Sequence, residues 1–424
     1  MTMTLPGTST SRRRFIVGSG GLAAGAVLLR PGAARLAFAT PSDPARGDAV
    51  VVIFLRFGAD GLSLAPPIGN AFDSYRSLRP TIAITPDQSL PLDSSNPNAA
   101  FPQGLSGVVG LHPALQGLYD GVWARGQMAV LPASGMPDNE STSRSHFEAQ
   151  EHIELGTANR NIRTGWLTRV MNGQADSAPV PGVSTSSSSP TIYRGSLESF
   201  NVTDLNNFGV SGFRNSGEAI NTLNSMYAGD GLMNTLGRST ISAASALSGL
   251  DAGGRGDAYP NSGFGDDLRD VAALLRANVG LTTALVTLSG WDHHSNQGVF
   301  DGSFFGRVND LGRGLTAFLD DLGPALDETT IYVVSEFGRT IDENADGGTD
   351  HGRAGTNFII GGGVQGGVFG YDFPDVIEDS SQDRRALRVE TDYRKAFDEV
   401  LAARVGVTGS FPTLGDLPDL GLVR

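Results

Sequence analysis

From Val50 to Leu55 every side chain is apolar. A strand with one face in water would alternate polar and apolar residues. An unbroken run therefore predicts a strand buried on both faces, as in a parallel sheet covered by helices on either side. Further strands are expected at Met128–Leu131, Thr283–Leu288, Ile331–Val334 and within TNFIIGGG near residue 358. Helical spacing separates them: Leu111–Gln127, Ser143–Gly156 with a glycine stop, Asp266–Asn278, the amphipathic stretch FGRVNDLGRGLTAFLDDLG, and a closing helix that stops at Gly406. Strands alternating with helices predict an α/β fold with a mainly parallel central sheet and helices on both faces. Residues 40–424 are expected to form a single domain. Residues 172–265, rich in Ser, Gly, Asn and Thr, read as an irregular insertion or cap carrying some helix, such as Ser216–Tyr227.

In open α/β sheets functional groups gather beyond the carboxyl ends of the strands. Asp60 follows the first run, Asp292, His293 and His294 follow another, Glu336 and Arg339 the next, and Asp350 and His351 stand in the loop after that. Three of the chain's six histidines thus lie beside an acid after a strand. Imidazole and carboxylate together suit a divalent cation, with zinc and manganese favoured and iron also compatible. Asp60, Asp292, His294, Glu336, Asp350 and His351 are the expected ligands of one or two ions. The alternatives are a turn-forming Asp60, a hydrogen-bonded turn at Asp292–His294, a salt bridge from Glu336 to Arg339, and a flexible glycine loop at Asp350–His351. His293 reads as a neighbour rather than a ligand, and His112 and His152 as structural. Ser145, followed three residues later by Glu148, fits a capping box. A serine at a helix start between Arg144 and His146 also fits a nucleophile or a phosphate ligand.

Composition removes several classes. The formal net charge is −14, which argues against a nucleic-acid partner. Lys395 is the sole lysine and stands in no glycine-rich phosphate loop. With no cysteine, disulfides, thiolate metal sites and cysteine nucleophiles are excluded. Near the amino end, Arg12 and Arg13 precede a moderately apolar, Gly/Ala-rich run and then Ala37-Phe38-Ala39, a small-x-small cleavage pattern. Residues 1–39 resemble a bacterial twin-arginine signal, which implies export to the periplasm or beyond. No later apolar run is long enough to span a bilayer.

The segments FLRFGADGLS, LHPAL, SRSHFEAQ, GWLTR, GWDHHSNQ, SEFGRT, GGTDHG and TDYR, in this order from Phe54 to Arg394, resemble the DUF1501 family of exported bacterial proteins. That family is grouped with the alkaline phosphatase-like superfamily of phosphatases and sulfatases. The resemblance implies an alkaline phosphatase-like fold and a metal-dependent hydrolase of phosphate or sulfate esters, on an envelope or extracellular polymer. In the superfamily's plan, Asp60 matches the acid after the first strand, Ser145 the nucleophile, Asp292 and His294 a later ligand pair, and His351 the final histidine. Arg339 or Arg144 would grip the non-bridging oxygens. Two departures stand out: Asp292 and His294 are closer together than the usual pair, and Phe337 stands where a histidine ligand would be. The site is then incomplete unless Asp350 or His146 fills in. The alternative is a non-catalytic exported binding or assembly protein that keeps the fold and a partial metal site.

Overall fold

The computed structural model describes residues 48–174, 178–208, 216–253, 258–370 and 386–424. The expected signal at residues 1–39 lies outside these. Among the described residues a nine-stranded sheet forms the centre. Ala49–Arg56 lies in its middle, parallel to Thr283–Ser289 on one side and to Thr329–Ser335 on the other. Alternate residues of this strand face opposite layers. Val51, Ile53 and Leu55 enter one apolar core, and Val50, Val52 and Phe54 enter the other. Two buried faces explain why the run contains no polar residue.

The first core is closed by the helices Gly263–Arg276 and Ser303–Leu322. The second of these buries Phe304, Val308, Leu311, Leu315, Phe318 and Leu322, at the three- and four-residue spacing of a single helical stripe. The opposite core is closed by Trp166–Gly173 and Tyr393–Val400, which bring Trp166, Val170, Tyr393 and Phe397 against the sheet. The fold is thus α/β, with a mostly parallel sheet between helical layers. No described helix is long and apolar enough to cross a membrane.

Three elements differ from expectation. Gly355–Gly361 runs antiparallel to both its neighbours, Thr329–Ser335 and Met128–Gly135. The chain between residues 335 and 355 doubles back as a loop, whereas a parallel return needs a crossover. Within 172–265, the strands Gly182–Ser184 and Ser199–Asn201 extend the sheet in parallel, so part of that segment belongs to the central layer. The helix expected over Leu111–Gln127 is broken into a 3-10 turn, Pro113–Leu115, a single α turn, Gln116–Leu118, and a π turn, Tyr119–Trp123. Glycines weaken a helix. Gly117 is fixed by packing, since a Cβ there would lie 2.3 Å from Thr316 Oγ1.

Candidate metal centre

The three central parallel strands end side by side, with Leu55 level with both Leu288 and Ser335. The loop after Thr283–Ser289 carries Asp292 and His294, and Glu336 directly follows Thr329–Ser335. The chain then reverses: Thr340 N donates to Asp350 O at 2.9 Å and Gly338 N to Arg353 O at 2.8 Å. This reversal returns His351 to the head of the sheet, where it bridges to Arg339. It needs glycines, because a Cβ on Gly338 would lie 1.9 Å from Ala354 O and one on Gly352 2.2 Å from Arg339 O. His146 arrives from elsewhere, as the first residue of the helix His146–Leu155 that Gly156 ends at φ 67°.

These loops converge on one carboxylate oxygen. Asp292 Oδ1 lies 3.0 Å from His294 Nε2, 3.2 Å from His351 Nε2 and 3.4 Å from His146 Nε2. His294 Nε2 and His351 Nε2 are 3.1 Å apart. Among the described residues, His146, Asp292 and His351 offer ligand atoms that all lie within 4.8 Å of one another. The opposite nitrogen of each ring has an acceptor. His146 Nδ1 donates to Glu336 Oε1 at 2.9 Å, His294 Nδ1 to Asp350 Oδ1 at 3.2 Å, and His351 Nδ1 to the Arg144 carbonyl at 2.8 Å. A neutral ring with its proton on Nδ1 satisfies these acceptors and turns its Nε2 lone pair inward, the tautomer that binding an ion needs.

Three lone pairs and an anionic oxygen crowded together repel unless a cation or protons lie among them. A tetrahedral ion with ligands at about 2.0–2.1 Å would space its donors by about 3.3 Å, close to what is seen. His146 Nε2 is buried without a hydrogen-bond partner, as a ligand atom would be before its ion is counted. The residues therefore fit one divalent cation, with the outer partners that usually fix a ligating imidazole.

The groups around the cluster set its charge. Burial alone would raise the Asp292 carboxyl, but the hydrogen bond and charge of Arg339, with His294 and His146 nearby, hold it at about 2. His351 is pushed below the usual imidazole range, mainly by burial, which favours the neutral form that a metal requires. Phe337 stacks on His146 with ring centroids 4.8 Å apart and lies 5.2 Å from His351. The residue that replaces a histidine in sequence thus packs behind two that are present. Glu336 Oε1 also accepts from Gln150 Nε2 at 3.0 Å and Phe57 N at 2.9 Å. Gln150 in turn accepts from Arg56, which pairs with the buried Glu154 at 2.5 Å. Glu336 orients His146 and is not itself among the converging ligand atoms, and glutamine keeps an oxygen for Phe57 N, so Glu336→Gln should keep the fold and weaken metal binding by about 10–100-fold. Titration of the chelated protein with zinc checks this.

Of the six expected ligands, Asp292, His294 and His351 meet. Glu336 and Asp350 stand one step behind them, as acceptors for His146 and His294. Asp60 is elsewhere: its carboxylate accepts from Arg79 at 2.6 and 3.0 Å, from Gln297 at 2.7 Å and from Ser63 at 2.5 Å. Burial would raise this carboxyl, but the Arg79 guanidinium and the other donors hold it below the ordinary value. With its oxygens committed there, Asp60 is scaffold. Arg339 is also scaffold rather than a substrate grip. It is 1% exposed and donates to the carbonyls of Gly58, Phe57, Trp291 and Thr349 and to Asp292. Arg144 enters through its carbonyl.

His146, expected beside the nucleophile or as a substitute ligand, is in the cluster. Ser145 precedes the helix and makes no side-chain cap bond; Glu148 instead accepts from Ser143 at 2.8 Å. Ser145 lines a groove on the helix's outer face. His293, edge-on to Phe304, is pushed down to about 4 by burial, with Arg339 and Arg307 adding to the shift. His112 bonds Val299 O and Ala114 N, and His152 bonds Ser141. These three histidines stand outside the cluster.

The sequence pattern of the family described as "Protein of unknown function (DUF1501)" matches residues 129–386, more than half of the chain. Neither a curated protein nor a solved structure gives a match.

Proposed function

The chain belongs to the DUF1501 family, and from the cluster at the head of its sheet we propose an exported, metal-dependent hydrolase of phosphate or sulfate esters with an alkaline phosphatase-like ancestry. One observation carries the proposal: three imidazole Nε2 atoms face one oxygen of Asp292, while each Nδ1 is held by an acceptor. A single zinc or manganese ion fits this donor set. When bound, it supplies Lewis acidity toward an ester oxygen and lowers the pKa of bound water toward about 7. Glu336, Asp350 and the Arg144 carbonyl orient the imidazoles, and Arg339 keeps Asp292 ionised. The first turn of His146–Leu155 adds partial positive charge where an anionic ester would approach.

Water is the attacking group in this reading. Support comes from Ser145 being exposed and lining the outer groove. Ser145→Ala should therefore retain turnover within about threefold, and, with no cap bond to lose, change stability by less than about 0.5 kcal/mol. A loss of several orders of magnitude would make Ser145 the nucleophile. The function is tested with aryl phosphate and aryl sulfate esters, before chelation, after it, and after reloading with zinc or manganese. Turnover that follows the metal supports the hydrolase. One tightly held ion without turnover of either ester class would favour the binding or assembly alternative.

A further inference from the structure

We propose that the groove on the outer face of His146–Leu155 binds a saccharide chain carrying anionic substituents, and that it leads such a chain toward the metal cluster. This rests on the ester reading for the substituent and on the groove itself for the saccharide. The groove encloses about 460 Å³, room for a short oligosaccharide segment and within the range of ligand sites. Ser145 and Phe147, which flank His146 in sequence, both line it, while His146 itself turns toward the cluster.

Phe147 is the decisive feature. It is 82% exposed, the largest value among the exposed large hydrophobic residues described. Its ring stands free on the first turn of a helix that is otherwise anchored inward through His146, Ala149 and Ile153. A flat apolar ring in water suits the C–H face of a sugar, which is itself amphipathic. Around it the groove alternates acids with guanidinium groups: Glu148 pairs with Arg160 at 3.1 Å and Glu151 with Arg194 at 2.9 Å. Both pairs are solvent-exposed and so weakly held. They can exchange partners for hydroxyls, the acids accepting and the arginines donating. Arg163 is exposed, lines the same groove and makes no ion pair with an acid among the described residues, so the described wall carries three guanidinium groups against two acids. A guanidinium suits a sulfate or phosphate substituent, which it can grip through two parallel N–H donors. A neutral glycan would leave that charge unused.

The test is calorimetric titration of the mature protein with a chondroitin sulfate tetrasaccharide and with its unsulfated counterpart. The sulfated form should bind more tightly. Phe147→Ala should weaken binding by about tenfold and Arg163→Ala by about fivefold. Both residues are on the surface, so their variants should fold. Binding by the chelated protein should stay within about threefold of the untreated protein, because no residue of the cluster lines the groove. That control separates this inference from the hydrolase reading: metal-independent binding without ester turnover would sink only the latter. The groove assignment is overturned if the native protein does not bind the sulfated tetrasaccharide. It is equally overturned if Phe147→Ala and Arg163→Ala both bind it like the native protein, or if the unsulfated form binds as well.

Discussion

Asp292→Ala should yield a folded protein that no longer retains a divalent ion. Asp292 Oδ1 is the atom that all three inward-facing imidazoles share, so its removal deletes the one anionic donor at the centre of the cluster. The loss in affinity should exceed about 100-fold, more than a change in an outer partner costs, and metal-dependent turnover should fall with it. The fold should survive, because Arg339 keeps its bonds to four backbone carbonyls. Asp292→Asn should fall between, retaining an acceptor for Arg339 but not the charge. A pH effect follows from the depressed carboxyl of about 2. A folded-state pKa below the ordinary value contributes stability that is present above pH 4 and fades as pH falls toward 2. Asp292→Ala should lose that part of the acid dependence. Metal analysis of the purified variant, with its urea midpoint measured at pH 7 and pH 3, checks both statements.

Arg79→Ala is expected to have the largest effect on stability. Arg79 is fully buried, Asp60 is 2% exposed, and the two are held by paired hydrogen bonds. Arg79 also donates to the carbonyls of Thr340 and Ile341, each at 2.7 Å, and so ties down the segment that leads to His351. Removing it strands a carboxylate away from water. Breaking a buried pair from one side costs about 3–5 kcal/mol, which should appear as a large drop in the urea midpoint. The molecules that remain folded should still take up one ion. A variant as stable as the native protein would contradict the buried pairing of Arg79 with Asp60.

A linear pattern carries burial and residue type but not the order in which side chains meet. The central strand was legible because burial on two faces removes every polar residue from Val50 to Leu55. The acid–histidine loops were legible because several strands end in the same unusual pair of residue types. The order of shells was not. Glu336 and Asp292 each follow a strand and each bond an imidazole, and only the ring nitrogen they meet distinguishes an orienting carboxylate from a ligating one. Asp60 looked like a ligand because its partner, Arg79, stands 19 residues away in a stretch without a motif. His146 was legible as a neighbour of a nucleophile or a substitute ligand, but SRSH at a helix start does not say which. The role is settled in space, where that helix packs His146 against His351. The antiparallel return at Gly355–Gly361 was obscured because a buried strand is apolar whichever way it runs.

His146, Asp292 and His351, with His294 beside them, are expected to hold a single ion. This is tested most directly by measuring the metal content of the purified protein by mass spectrometry after loading with zinc, manganese or iron and exhaustive dialysis, beside Asp292→Ala treated identically. Close to one tightly held ion per native chain is expected, and almost none in the variant. Equal metal content in the two proteins, or no retained ion in the native chain with any of the three metals, would contradict it.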